Sequence, residues 1–163
     1  MTASVPRRRL TGCLVVVLLV LGWANAWVLA QAPAQPTPRV ATPAPPATVG
    51  ELTTLVEQAR TRFVARDAAG VLAHVADNYR SAGFTKSAVR QQLLAMYALY
   101  EAVQARVRVD QVQIVDGDAW VYTTGEVSGR LPIVGWVSVL SWQGEPEVAR
   151  RQGSAWRLIG FQD

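Results

Sequence analysis

The chain has 163 residues, a formal net charge of +4 and a single cysteine, Cys13, near its start. Of its 16 basic residues, Arg7, Arg8, Arg9 and Arg39 precede Glu51, whereas all 12 acidic residues lie from Glu51 onward. The later part is therefore formally neutral, which removes the electrostatic footprint of a nucleic-acid binder. The lone early cysteine also excludes a disulfide framework and any cysteine-based metal or redox centre there.

Arg7, Arg8 and Arg9 precede an apolar run from Leu10 to about Leu21, followed by small residues at Ala24-Asn25-Ala26 and Ala30-Gln31-Ala32. A basic start, an apolar middle and A-x-A sites describe a secretory signal peptide. Extended through Trp23, Trp27, Val28, Leu29 and Ala30, the run reaches about twenty residues, long enough to span a bilayer with the arginines on the cytoplasmic side. Residues 1–30 thus read as a signal peptide or an uncut transmembrane anchor. Both place the rest of the chain in an extracytoplasmic or periplasmic compartment, released or tethered, with membrane contact through this segment alone. Leu10-Thr11-Gly12-Cys13 has the letters of a lipobox, but it opens the apolar run instead of closing it. Residues 31–50 are rich in Pro, Ala and Thr and carry six of the nine prolines, the composition of a semi-extended spacer.

Residues 51–163 are the right size for one domain. Leu52, Leu55, Val56, Ala59 and Phe63 recur at helical spacing. Asp67 fits the N-cap of a second, short helix carrying Val71, Leu72 and Val75, with Tyr79 at or just past its end. Thr85 or Ser87 can cap a third helix, whose apolar stripe is Val89, Leu93, Met96, Tyr97 and Tyr100.

Beyond it the period changes to two. Val103, Ala105, Val107 and Val109 alternate with polar residues, and the apolar set resumes out of phase at Val112 and Ile114, so a β-bulge is expected at Asp110-Gln111. Asp116-Gly117 between two alternating runs predicts a type I′ hairpin. In that register Val115 faces Asp118, Ile114 faces Ala119, Gln113 faces Trp120 and Val112 faces Val121. Val112, Ile114, Ala119 and Val121 fall on the buried side, and Trp120 and Tyr122 fall on the other. Two aromatics on that outer side point either to a partner or to a second covering layer. A third strand is expected from Ile133 to Trp142, a reversal at Gln143-Gly144-Glu145-Pro146, and a last hairpin from Val148–Arg151 and Ala155–Phe161. Trp156 and Leu158 compete with Ile159 and Phe161 for the inward side. Helices first and antiparallel strands afterwards indicate an α+β fold, with three N-terminal helices packed in a curved sheet.

This order resembles the nuclear transport factor 2-like superfamily, which includes ketosteroid isomerase-like and SnoaL-type cone folds. The residues that carry the resemblance are Asp77-Asn78-Tyr79, Met96-Tyr97-Ala98-Leu99-Tyr100, Val115-Asp116-Gly117-Asp118-Ala119 and Ala155-Trp156-Arg157-Leu158-Ile159-Gly160-Phe161, over about Leu52 to Gln162. It implies a conical pocket between helices and sheet, a cone-shaped α+β barrel, and a homodimer through the outer sheet face that would occupy Trp120 and Tyr122. Enzymes of the superfamily place carboxylates, tyrosines or histidines in the cone. Here Asp110 lies at the bulge, Asp116 and Asp118 at the turn, and Glu126 on the Trp120 face, so no carboxylate pair is expected inside.

His74, the one histidine, stands three residues after Val71 and three before Asp77, the spacing at which Asp77 could orient an imidazole. Tyr79 and Tyr97 are expected to line the cone, with Thr123 on the inward strand parity. Asp116-Gly117-Asp118 falls short of a calcium loop, and no nucleophile elbow, P-loop or dinucleotide fingerprint occurs, so neither metal nor cofactor is expected. The reading that follows is a noncatalytic exported or tethered domain binding a small apolar ligand or a protein partner. The alternative is an isomerase-, cyclase- or dehydratase-type acid–base enzyme acting on an apolar ring, with His74 as base.

Overall fold

The computed structural model describes residues 40–161. The expected signal or anchor at 1–30 lies outside them, as does the spacer up to residue 39. In chain order the elements are β1 (Thr42–Pro43), α1 (Pro46–Val64), α2 (Ala68–Leu72), β2 (Arg80–Ser81), β3 (Phe84–Thr85), α3 (Lys86–Leu99), β4 (Ala102–Val115), β5 (Asp118–Leu131), β6 (Gly135–Gln152) and β7 (Ala155–Leu158). A five-stranded antiparallel sheet runs β1-β4-β5-β6-β7, and β2 pairs with β3 as a small hairpin.

Helix α1 starts earlier than composition suggests. Pro45 caps it and Pro46 opens it, which suits a residue with fixed φ and no N–H in a turn whose amides have no helical partner. Upstream, β1 lies along the free edge of β4, Thr42 opposite Ile114 and Pro43 opposite Gln113. Proline is tolerated on such an edge. Ordered structure therefore takes in the end of the Pro/Ala-rich segment that reads as spacer through Gly50. The stripe Leu52, Leu55, Val56 and Phe63 is buried as its spacing requires. So is Val89, Leu93, Met96 and Tyr97 on α3. Asp67 caps α2 by accepting from the Gly70 amide at 2.8 Å, and Thr85 caps α3 by accepting from the Ala88 amide.

Helix α2 is shorter than the sequence pattern suggests, ending at Leu72 instead of near Tyr79. The reason is where the next backbone groups bond. Leu158 donates to the His74 carbonyl at 2.9 Å and Ala76 donates to the Leu158 carbonyl at 2.8 Å, so Val75 joins β7 as a parallel bridge. His74 accordingly sits in a turn between α2 and that bridge, not on a helix.

The central hairpin has the predicted register, from Val115 opposite Asp118 to Gln111 opposite Tyr122, with its shift between Val109 and Gln111. Asp116 at φ 53° and Gly117 at φ 86° supply the two positive angles of the I′ turn. Past it the chain departs from expectation. No reversal occurs at Gln143–Pro146, and β6 runs unbroken from Gly135 to Gln152. Thr123 faces Glu145 while Gly125 faces Trp142, so Gln143-Gly144 is absorbed as a bulge instead of a turn. Pro146 is allowed because β7 pairs only with Ala149 to Gln152, which leaves β6 an edge strand at that point.

The bulges line up across the sheet: the Gly144 amide donates to Thr124 Oγ1 at 3.1 Å, and Thr124 Oγ1 donates to Asp110 Oδ2 at 2.5 Å. Aligned bulges bend all three long strands together around α1 and α3. The strand parity conflict near the C-terminus also resolves. Leu158 enters the main core, whereas Ile159 ends up with Ala76, Val148, Trp120 and Phe161 in a second cluster on the outer face.

Candidate functional site

The bent sheet and the two long helices enclose a cavity of about 90 Å³. Val56 and Phe63 come from α1, Val89 and Leu93 from α3, Ala105 and Val107 from β4, Val127 from β5, Trp142 from β6 and Leu158 from β7. The segment after α2 adds His74, Val75 and Tyr79, and Arg60 lies at the rim. On the scale where one water needs roughly 10–15 Å³, the space fits a compact molecule of several heavy atoms.

Trp142 reaches this cavity because position 125 is glycine. A Cβ there would stand 2.4 Å from the indole ring and 2.5 Å from the Arg106 carbonyl oxygen. Once seated, the indole N–H donates to Thr123 Oγ1 at 3.0 Å, and Thr123 is fully buried. Thr123 therefore meets the inward parity expected of it, but its hydroxyl positions a wall of the cavity and is absent from the lining.

Tyr79, 1% exposed, lines the cavity. Tyr97 does not; it packs beside it, its ring 5.8 Å from that of Phe63. Its hydroxyl has no hydrogen-bond partner among the described residues, and burial pushes its pKa up to about 12. It belongs to the core.

His74 lines the cavity at its edge. Burial, then the positive charges of Arg157 and Arg62, hold its pKa below the usual imidazole value, which favours the neutral ring. The expected partner is not there. Asp77 Oδ1 accepts from Lys86 Nζ at 2.8 Å, and that bond chiefly lowers its pKa. Spacing on an imagined helix paired Asp77 with His74, and the turn after α2 separates their roles.

Trp120 and Tyr122 lie on the outer face, as the register requires. The Trp120 ring meets Phe161 edge-on at 5.1 Å, so part of its cover comes from this chain's own C-terminus. Tyr122 Oη donates to Gln113 Oε1 at 3.4 Å.

One buried acid escapes the sequence reading. Glu147, 2% exposed, stands opposite Val121 on the inner side of β6. It hides because Glu145-Pro146-Glu147 looks like the exit of a turn. Only a continuous β6 puts Glu147 in phase with Ala149 and gives it an inward side. Among the described residues no group of His, Cys, Asp and Glu is placed to hold a metal ion, and no helix is long and apolar enough to cross a membrane.

No family model and no curated protein matches the sequence. Solved structures do match. A conserved protein from Planctomyces limnophilus aligns over 70% of this chain and 92% of its own at TM-score 0.61 and 15% identity. A protein from Streptomyces avermitilis described as a "putative dehydratase from the NTF2-like family" aligns over 71% of this chain and 94% of its own, at TM-score 0.56 and 12% identity. Bd1075 from Bdellovibrio bacteriovorus aligns over 68% of this chain at TM-score 0.54 and 14% identity, and the match spans only 39% of its length. At these identities the likeness concerns the fold. The chain therefore shares the cone-like α+β fold of these solved structures, one of which is described as belonging to the NTF2-like family.

Proposed function

We propose that this domain, exported or tethered by its N-terminal segment, binds a small apolar molecule in the cone without transforming it. One observation carries the reading: the cavity wall is built mainly of aliphatic and aromatic side chains, with Tyr79, His74 and Arg60, itself paired with Glu57, as its polar groups. Such a site recognises a compact ring or branched chain bearing one hydrogen-bonding group. The outer face is the weaker candidate, since Phe161 already packs on Trp120. The test is melting temperature in the presence of phenol or cyclohexanone as probes. Ala105→Leu, which extends a side chain into the cavity, is expected to abolish a ligand-induced rise seen in the natural sequence. Equal rises in both proteins would place binding elsewhere.

A second reading has its own observation. His74 stands on the cavity wall, where burial and the charges of Arg157 and Arg62 favour its neutral form, the form a general base needs. A dehydratase-like or isomerase-like activity on a ring substrate would use it with Tyr79 as hydrogen-bond donor. Deuterium exchange at the α-carbons of cyclohexanone separates the readings. Binding alone leaves exchange at the buffer rate, whereas catalysis raises it and His74→Ala returns it to that rate with the fold intact.

A further inference from the structure

The tip joining β5 to β6 is the most exposed apolar feature of the described chain. Ile133 is 98% exposed, Val134 70% and Trp136 46%. In the β5–β6 register Trp136 stands directly opposite Arg130, one rung behind Leu131 and Gly135. The order from the tip inward is thus aliphatic, then Trp136 and Arg130 as cross-strand partners, with the Arg130 guanidinium 3.7 Å from the Glu101 carboxylate. At ~3.3 Å per residue, the indole and guanidinium lie about 7–10 Å behind the tip, which matches the ~5–10 Å that interfacial segments sink into a bilayer. Trp and Arg at that level are the side chains that settle among headgroups.

We infer that the Ile133-Val134 tip inserts into the surface of a lipid bilayer. A protein partner fits less well: a convex tip of three side chains covers little of the ~1,200 Å² a stable interface needs, whereas a bilayer demands no matching shape. The tip is also within reach of the membrane that the N-terminal segment would enter. The linker joins at the far end of the sheet, because Thr42 pairs with Ile114 while the tip follows Arg130, the partner of Ala102. Those ends are ~40 Å apart along β4, and residues 31–41 can span up to ~36 Å. The sheet can therefore lie along the surface with both ends in contact. A single small tip binds weakly by itself and gains from such a second attachment.

The experiment uses the full chain with Cys13→Ser, reconstituted in phosphatidylcholine–phosphatidylglycerol vesicles whose acyl chains carry a nitroxide quencher. A fluorophore is attached at Ile133→Cys or, as control, at Ser154→Cys. Ser154 lies at the linker's end of the strands, since Thr42 shares a rung with Ile114, Ala119 and Ala149, and the β6–β7 turn follows just beyond it. Mere tethering would quench the label at position 154 first. Insertion predicts strong quenching at 133, little at 154, and loss of the 133 signal when Val134→Asp is added. Equal quenching at both sites, or more at 154, overturns the inference. Disulfide-linked pairs through position 133 without lipid quenching would also overturn it, by showing that a second copy covers the tip.

Discussion

A methyl group at Gly125 would fall 2.4 Å from the Trp142 ring, so Gly125→Ala must push the indole off Thr123. The expected cost is about 1–3 kcal/mol of stability, and tryptophan emission should shift to the red as the indole meets water. His74 makes a different prediction. Its folded pKa lies below the ordinary 6.5 because burial and two arginines disfavour the charged ring. The unfolded chain then binds a proton more readily, so stability falls as pH drops below 6.5 towards the depressed value and is fully present above it. Melting temperature followed through that window should decline in the natural sequence and flatten in His74→Gln. The depressed carboxylates Glu51 and Asp77 lose their partners only at lower pH, below their ordinary values of 4.5 and 3.8, so the two effects separate.

At the scale of elements, the end of α1 shows how a side chain substitutes for glycine. Arg66 takes φ 60°, its amide bonding to the Phe63 carbonyl at 2.9 Å while that of Asp67 bonds to the Arg62 carbonyl at 2.9 Å, a Schellman ending. The left-handed cost is offset by its guanidinium, which donates to the carbonyls of Tyr97 and, at 2.7 Å, Glu101, tying α1 to the α3–β4 junction. Arg66→Ala should lose about 1–2 kcal/mol in denaturant titration. Arg66→Gly, which breaks the same bonds but relieves the left-handed strain, should lie about 1 kcal/mol above it. The C-terminal segment is a second such tie. Phe161→Ala removes the edge-on contact with Trp120 and is expected to cost about 1–3 kcal/mol.

For the whole molecule, Trp120 discriminates two arrangements. A homodimer through Trp120 and Tyr122 predicts a solution mass of two chains that Trp120→Lys halves. Packing of Trp120 against Phe161 at 5.1 Å predicts a lowered melting temperature at unchanged mass, and this is the outcome we expect from light scattering on residues 40–163. The curvature of the sheet belongs to this scale as well. Three strands bend at one level because Asp110, Thr124 and Gly144 are linked by hydrogen bonds across the aligned bulges. Without that common bend no space would remain between Trp142 and the helices.

How far the residues announce this result follows from the range of the forces involved. Helical stripes, the Asp67 cap, the bulge beyond Val109 and the register set by Asp116-Gly117 depend on neighbours a few positions apart, and the sequence determined them unaided; for α3 it narrowed the cap to Thr85 or Ser87, and the structure selects Thr85. The inward place of Thr123 and the outward place of Trp120 follow from the same period. Other features depended on contacts far along the chain. Whether Gly144-Pro146 reverses the chain or bulges is decided by pairing with β5, and with it the burial of Glu147. Where α2 stops, and hence what His74 faces, is decided by hydrogen bonds to Leu158, more than eighty residues away in the chain. Only the tertiary structure could settle these, because a polar dipeptide or a backbone amide accepts several local conformations of similar energy, and a distant partner selects among them.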